Sequence, residues 1–159
     1  MDSVPFLKWA GGKRWLAPKI SLVLKAPINL RLVEPFLGSG AVFFFLHPEK
    51  ALLADVNPEL IATYRAVRDN PDDVIRRLRQ LTIGKNVFEN LRRSSPRSDV
   101  SRAVRLIYLN RTAFNGLYRV NGRGKFNVPF GCKPGTKPCD AGTLNSKRQR
   151  KHTVDGLSR

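Results

Sequence analysis

Residues 31–55 read RLVEPFLGSGAVFFFLHPEKALLAD, and the order of their parts decides the fold. Arg31-Leu32-Val33-Glu34 is a short strand candidate that runs into the glycine turn Pro35-Phe36-Leu37-Gly38-Ser39-Gly40. The apolar run Ala41–Leu46 follows as a helix, and Ala51-Leu52-Leu53-Ala54 is a second buried strand that ends at Asp55. Strand, glycine turn, helix, strand and acidic end make the beginning of a βαβ unit, so the expected fold class is α/β.

Outward from this core, residues 13–24 place Trp15, Leu16, Ile20 and Val23 at helical spacing, with Pro18 tolerated near the first turn. Asn57-Pro58 reads as a helix start, Asn at the N-cap and Pro at the first helical position, with Leu60, Tyr64 and Val67 on one face. Asn70-Pro71 repeats the signal ahead of Val74, Leu78 and Leu81. Val100, Ala103, Val104, Ile107 and Tyr108 mark a further helix. Asn121-Gly122, between Tyr118-Arg119-Val120 and the alternating Phe126, Val128 and Phe130, predicts a hairpin.

Composition bounds what such a chain can do. The sequence has 159 residues, enough for one domain or part of one, and 29 Lys+Arg against 12 Asp+Glu give a net charge of +17. The longest apolar run is far short of the roughly 20 residues that cross a bilayer, and no secretory h-region follows Met1. A soluble, cytoplasmic protein is expected. The basic excess points to a polyanion, most often nucleic acid, or to a solubilising surface. Cys132 and Cys139, with His47 and His152, have no metal-ligand or redox spacing, so no metal is expected. All fourteen aromatic residues precede Gly131, and residues 131–159 read as a mobile basic tail or as sequence foreign to the domain.

Three stretches have residues suited to chemistry. In the first, Gly38 and Gly40 let the backbone approach a ligand, while Asp55 can accept hydrogen bonds from ribose hydroxyls. The distance to Asp55 is short of the roughly 20 residues of a dinucleotide fingerprint, and Phe43 stands where its third glycine would be. A nucleoside without phosphates, such as that of S-adenosylmethionine, therefore suits the pattern better than a pyrophosphate; a purely structural turn accounts for the glycines equally well. The second, Lys8-Trp9-Ala10-Gly11-Gly12-Lys13, is a cationic loop able to meet a carboxylate or a phosphate, or a basic turn with Trp9 packed inside. The third, Asn110 to Arg119 with Arg123 and Lys125 beyond it, interleaves Arg, Asn and aromatics as a DNA-reading surface does, or forms a solvated hairpin with Phe114 and Tyr118 buried.

In the order FLKWAGGK, VEPFLGSG, LLADVNPELI and YLNRTAFNGLYRVNGRGKFNVPFG, these blocks resemble the Dam-like adenine-specific DNA methyltransferases of the D12 class, over about residues 5–140. The resemblance implies a Rossmann-like S-adenosylmethionine-dependent methyltransferase core, incomplete, with an inserted helical and hairpin DNA-recognition region. Residues 1–70 would be the cofactor half of the core, 71–140 the target-recognition region and 141–159 a basic, disordered tail. The family pattern puts Trp9, Ala10, Gly11, Lys13, Phe36, Gly38 and Gly40 at the S-adenosylmethionine site, with Asp55 on the ribose. It puts Lys8, Asn115, Leu117, Arg119 and Pro129 against double-stranded DNA. Phe114 stands where close relatives often have Tyr, so a hydroxyl contact is absent there; GATC is the target that the resemblance implies.

One expected part is missing. The family handles its methyl acceptor with Asp-Pro-Pro-Tyr, because adenine N6 is a poor nucleophile whose protons need acceptors and whose flipped ring needs a stacking partner. No such motif occurs in the sequence; Asn57-Pro58-Glu59, Asn70-Pro71-Asp72 and Asn127-Val128-Pro129-Phe130 are not equivalents. No catalytic residue is assigned. The expectation is a truncated or frame-shifted gene product, catalytically defective alone, with a separate C-terminal catalytic half as the alternative. The rival functions are a non-enzymatic basic DNA-binding module, which would bind in a salt-sensitive way regardless of cofactor, and a nucleotide-dependent Rossmann enzyme, which would bind NAD.

Overall fold

The computed structural model describes residues 4–23, 31–145 and 153–156. Its centre is a parallel sheet in which β1 (Leu32–Glu34) pairs with β2 (Ala51–Asp55), Leu32 opposite Ala51 and Glu34 opposite Leu53. Between them, α2 (Ala41–Leu46) supplies the crossover, so the expected βαβ beginning is present. Ahead of it, a 3-10 turn over Lys13–Trp15 leads into α1 (Ala17–Val23). Trp15 does not join the apolar face expected of it. Its side chain is 69% exposed, with Lys19 Nζ 5.6 Å above the ring, because the 3-10 turn rotates it off the face that buries Ala17.

Four helices follow: α3 (Pro58–Asp69), α4 (Pro71–Arg79), α5 (Lys85–Arg93) and α6 (Asp99–Thr112). Asn57 caps α3 as its spacing predicts, Oδ1 accepting from Glu59 N–H at 3.0 Å and Leu60 N–H at 3.3 Å. Asn70 makes no such side-chain cap on α4. Leu60, Ile61, Tyr64 and Val67 of α3 share one apolar core with Ala103, Leu106, Ile107 and Tyr108 of α6, so the core runs across residue 70 without a break. Arg102 fastens the same pair of helices, its Nη2 donating to Glu59 Oε1 at 2.9 Å.

The helix α5 has no counterpart in the sequence reading. Its apolar side is just Val87, Phe88 and Leu91 among charged residues, too few positions for a period to stand out. Phe88 nevertheless anchors it, buried with its ring edge-on to Phe126 and Phe130. The hairpin that carries these partners is also looser than a two-residue Asn-Gly turn. A single antiparallel bridge joins Val120 to Phe126, and the turn runs from Asn121 to Lys125. Asn121 Oδ1 accepts from both Arg123 N–H and Lys125 N–H, while Gly124, at φ +71°, takes the left-handed position.

The segment expected as a tail contributes two elements instead. Asp140 caps α7 (Ala141–Asn145) by accepting from Thr143 N–H and Oγ1, and Leu144 is buried in the core. Strand β3 (Thr153–Gly156) lies parallel to β2, giving the sheet order β1-β2-β3. Leu144, with Cys139 and Ala141 against the core, holds α7, and backbone pairing with β2 holds β3. The basic run 146–152 lies outside the described residues. The architecture is α/β, with mixed helices around a small parallel sheet. No helix among the described residues is long and apolar enough to cross a membrane.

Candidate functional site: two clefts on either side of one loop

At the carboxyl ends of β1 and β2 the chain must turn sharply, and glycine permits it. Leu37 N–H still donates to Ala54 O at 2.9 Å, but Gly38, at φ +52°, turns the chain away from the sheet. A Cβ on Gly38 would lie 3.1 Å from Trp9 Cδ1, so the missing side chain also makes room for the indole. The Trp9 loop closes on itself through Gly12 N–H to Trp9 O at 3.1 Å, with Gly11 at φ +72°. Between these two turns lies a cleft of about 290 Å³ lined by Trp9, Ala10, Gly11, Lys13, Phe36, Gly38 and Asp55. These are seven of the eight residues expected at the cofactor.

Gly40, the eighth, does not line the cleft. It is the N-cap of α2 at φ +65°, and a Cβ there would meet Phe44 Cε2 and Tyr64 Oη at 3.0 Å. Its part is to let α3 pack against α2 beneath the site.

Asp55 is held rigidly where the cleft opens. Oδ2 accepts from Gly38 N–H and Oδ1 from Asn57 N–H, each at 3.0 Å, so one carboxylate joins the glycine turn to the start of α3. Lys13 Nζ donates to Phe36 O at 2.9 Å and lies 3.7 Å from Glu34 Oε1. The Phe36 ring is 70% exposed beside the opening. Sequence reasoning missed five further lining residues, Gly12, Glu34, Leu37, Ser39 and Ala41. Burial pushes the Glu34 carboxyl above its ordinary range, opposed by the Lys13 charge and the Phe43 N–H. Glu34 Oε2 is buried and has no hydrogen-bond partner among the described residues. Below the cleft, Tyr64 is raised well above the usual phenol range by burial and by the Glu34 and Asp55 charges, and its hydroxyl donates to Gly38 O at 3.3 Å.

The second cleft is larger, about 1080 Å³, and basic. Lys8, Arg14, Arg79, Arg111, Lys133 and Lys137 line it, with Asp140 as the one carboxylate among its lining residues. Of the five residues expected at DNA, Lys8 and Asn115 line this cleft; Leu117, Arg119 and Pro129 are outside it. Arg119 Nε donates to Asn127 Oδ1 at 2.9 Å, which fixes the guanidinium along the hairpin. Phe114 is exposed rather than buried. The arginines at 14, 79 and 111 are far apart in sequence, so nothing local announces their convergence.

Asn110 joins the parts. Buried at the end of α6, it accepts from Lys8 N–H at 2.9 Å and donates through Nδ2 to Lys8 O and Gly116 O, each at 2.8 Å. Gly116, at φ +67°, leaves space for the Lys8 side chain: a Cβ there would be 2.5 Å from Lys8 Cδ. From the hairpin, Tyr118 stacks on Trp9 with centroids 5.0 Å apart and planes 16° from parallel. Thus Lys8 faces one cleft, Trp9 to Lys13 face the other, and the hairpin leans on the loop that separates them.

Known proteins share much of this sequence. The family model for D12 class N6 adenine-specific DNA methyltransferases matches residues 9–154, well into the stretch expected as foreign to the domain. Type II methyltransferase M1.LlaDCHI of Lactococcus lactis subsp. cremoris is 43% identical over 150 residues, covering 89% of this chain and 52% of the relative. The DNA adenine methylase of Escherichia coli strain K12 is 42% identical over 132 residues, 79% of this chain and 47% of its own. Type II methyltransferase M.MjaIII of Methanocaldococcus jannaschii is 34% identical over 153 residues, 82% and 53%. The chain spans about half the length of these curated relatives.

Proposed function

Because the chain belongs to the D12 class N6 adenine-specific DNA methyltransferases, we propose that it forms the S-adenosylmethionine-binding and DNA-recognising portion of an enzyme that methylates adenine N6 in duplex DNA. The observation that supports this most is the convergence of Trp9, Lys13, Phe36, Gly38 and Asp55, from three separate sequence blocks, on one cleft. The core is read as Rossmann-like, with the cofactor beyond the strand ends, where α/β sheets commonly hold ligands.

The residues of the cleft fit this cofactor. Asp55 has lone pairs left over after its two backbone contacts and can accept from a ribose diol. Trp9 and Phe36 present aromatic surface for a purine, and Lys13 presents a cation for a carboxylate. A Cβ added at Gly11 would meet no atom within 4 Å, so the backbone there is open to close approach by a ligand. When bound, S-adenosylmethionine supplies an electrophilic methyl on its sulfonium. Lys8, Asn115, Leu117, Arg119 and Pro129 are proposed DNA contacts: Lys8 for phosphate, Arg119 and Asn115 for the groove. Handling of the target amine falls to an Asp-Pro-Pro-Tyr motif that the 159 residues do not contain.

Calorimetric titration with S-adenosylhomocysteine tests the reading. Saturable one-site binding is expected, and the affinity should collapse in Trp9→Ala. Binding of NAD in preference, or no binding by a folded protein, would overturn it. With labelled S-adenosylmethionine and an adenine-containing duplex, this polypeptide alone should leave the DNA unlabelled; incorporation would show a catalytic group elsewhere in the chain.

A further inference from the structure

Glycine gives a loop backbone freedom and nothing to pack against, so a large side chain there is placed by what lies outside the loop. Trp9 is such a side chain: it lines the smaller cleft and is followed by Ala10, Gly11 and Gly12. Among the described residues the indole N–H has no hydrogen-bond partner, so packing alone sets the tilt of the ring. Two surfaces do this. The pyrrole part approaches the backbone of Gly38, where a Cβ would come within 3.1 Å of Trp9 Cδ1. The Tyr118 ring lies over the indole, 16° from parallel, with centroids 5.0 Å apart. Tyr118 is itself held from behind. Its ring meets Phe126 at 5.5 Å, and Phe126 meets Phe88 of α5 at 6.2 Å, both of them buried in the core. Burial pushes the Tyr118 phenol above its ordinary range, and the Asn57 side chain and Glu59 charge at the start of α3 are near enough to act on it.

We propose that Tyr118 is a positioning residue for the cofactor: its ring holds the Trp9 indole as a wall of the smaller cleft, so that the hairpin completes the S-adenosylmethionine site. This rests on the cofactor reading of the cleft given above and deepens it. Leu117 and Arg119, the proposed DNA contacts on either side of Tyr118, are exposed, whereas Tyr118 is half-buried. Leu117 is extended, at φ −73° and ψ 143°, and along extended backbone successive side chains point to opposite sides. One short stretch thus offers its outer side to DNA and braces the cofactor wall with its inner side. The bracing needs the flat face of the ring and not the hydroxyl, which separates Tyr118→Phe from Tyr118→Leu.

Ligand affinity and the mobility of the indole are read together. Trp15, the other tryptophan, is exposed, and Trp15→Phe leaves Trp9 as the sole indole emitter. In that parent protein, and with Tyr118→Phe or Tyr118→Leu added, S-adenosylhomocysteine binding is measured by calorimetry. Tyr118→Phe should bind within twofold of the parent, and Tyr118→Leu about 3- to 10-fold more weakly, the worth of one aromatic pair. Without ligand, Trp9 fluorescence anisotropy should fall and acrylamide quenching should rise in Tyr118→Leu, while Tyr118→Phe should match the parent in both. Equal affinities in all three proteins, or an equal loss in both variants, overturns the proposal. So does an unchanged anisotropy in Tyr118→Leu. In the parent with ring-labelled tyrosine, the Tyr118 resonance should move when S-adenosylhomocysteine binds, and that of Tyr108, whose hydroxyl is held at Thr82 O, should not. A stationary Tyr118 resonance overturns the proposal without relying on the folding of a Tyr118 variant. Failure of the parent to bind S-adenosylhomocysteine at all would instead remove the cofactor reading itself, and this proposal with it.

Discussion

Asp55 shows how much one side chain decides at this site. Its two oxygens take the N–H groups of Gly38 and Asn57, so it builds the cleft as well as facing it. Replacing one oxygen by an amide, as in Asp55→Asn, points a donor at a donor. A loss of about 1–3 kcal/mol in urea unfolding is expected from the unmet backbone group, together with at least tenfold weaker S-adenosylhomocysteine binding by calorimetry. Glu34 should behave in the opposite way. Its folded-state carboxyl is raised by burial, so the folded protein binds a proton more readily than the unfolded chain. The resulting penalty is full above the raised value and vanishes below the ordinary carboxylate range. The charged and titratable groups around it, Lys13, Asp55 and Tyr64, remain in the variant. Glu34→Gln should thus melt higher than wild type at neutral pH, and the gap should close as the solution is made acidic. An unchanged gap would show that the burial penalty is not felt. Gly38 and Asp55 are legible in the order strand, glycine turn, helix, strand, acidic end, and Lys13 is placed beside them by the family resemblance of its loop. Glu34 sits in the same motif, but nothing in the sequence marks it as a buried carboxylate on the cleft wall. In a three-residue strand, alternation cannot tell which side a residue faces, and here Val33 is the exposed neighbour.

At the scale of elements, the join between α6 and the segment before the hairpin sets where the proposed DNA contacts Lys8 and Asn115 stand. Asn110 bonds both Lys8 backbone groups and Gly116 O, and Gly116 leaves room for the Lys8 stem. Gly116→Ala puts a Cβ at φ +67° against Lys8 Cδ and 3.2 Å from Asn110 O. About 1–2 kcal/mol of stability should be lost to backbone strain. DNA affinity should fall several-fold as Lys8 is displaced, while S-adenosylhomocysteine affinity stays within twofold, a split that filter binding and calorimetry would show. Helices with a capping residue and a long apolar stripe, α3 and α6, are readable in advance, and so is the βαβ order. The helix α5 is not, because Phe88, its buried residue, meets its aromatic partners on the distant hairpin. Nor are α7 and β3, where composition predicts a tail. A strand that adds to the edge of β2 is held by backbone pairing, to which composition is blind.

For the whole molecule, the net charge of +17 now has a partial address. Six basic residues drawn from separate parts of the chain converge on the larger cleft, which the linear sequence could not disclose. Binding of duplex DNA should weaken steeply with salt, and Lys8→Ala should lower the slope of log affinity against log salt by about one. An unchanged slope would place Lys8 away from phosphate.

The loop from Lys8 to Lys13 separates the two clefts and belongs to both. Thermodynamic linkage then sets a condition that no mutation is needed to reveal. Any ordering of this loop by one ligand is ordering that the other no longer has to supply, and the benefit must be equal in both directions. The factor by which S-adenosylhomocysteine tightens DNA is the factor by which DNA tightens S-adenosylhomocysteine. A short loop, pinned by Asn110 at one end and stacked under Tyr118 beside it, makes the two proposed ligands, one in each cleft, terms of a single equilibrium.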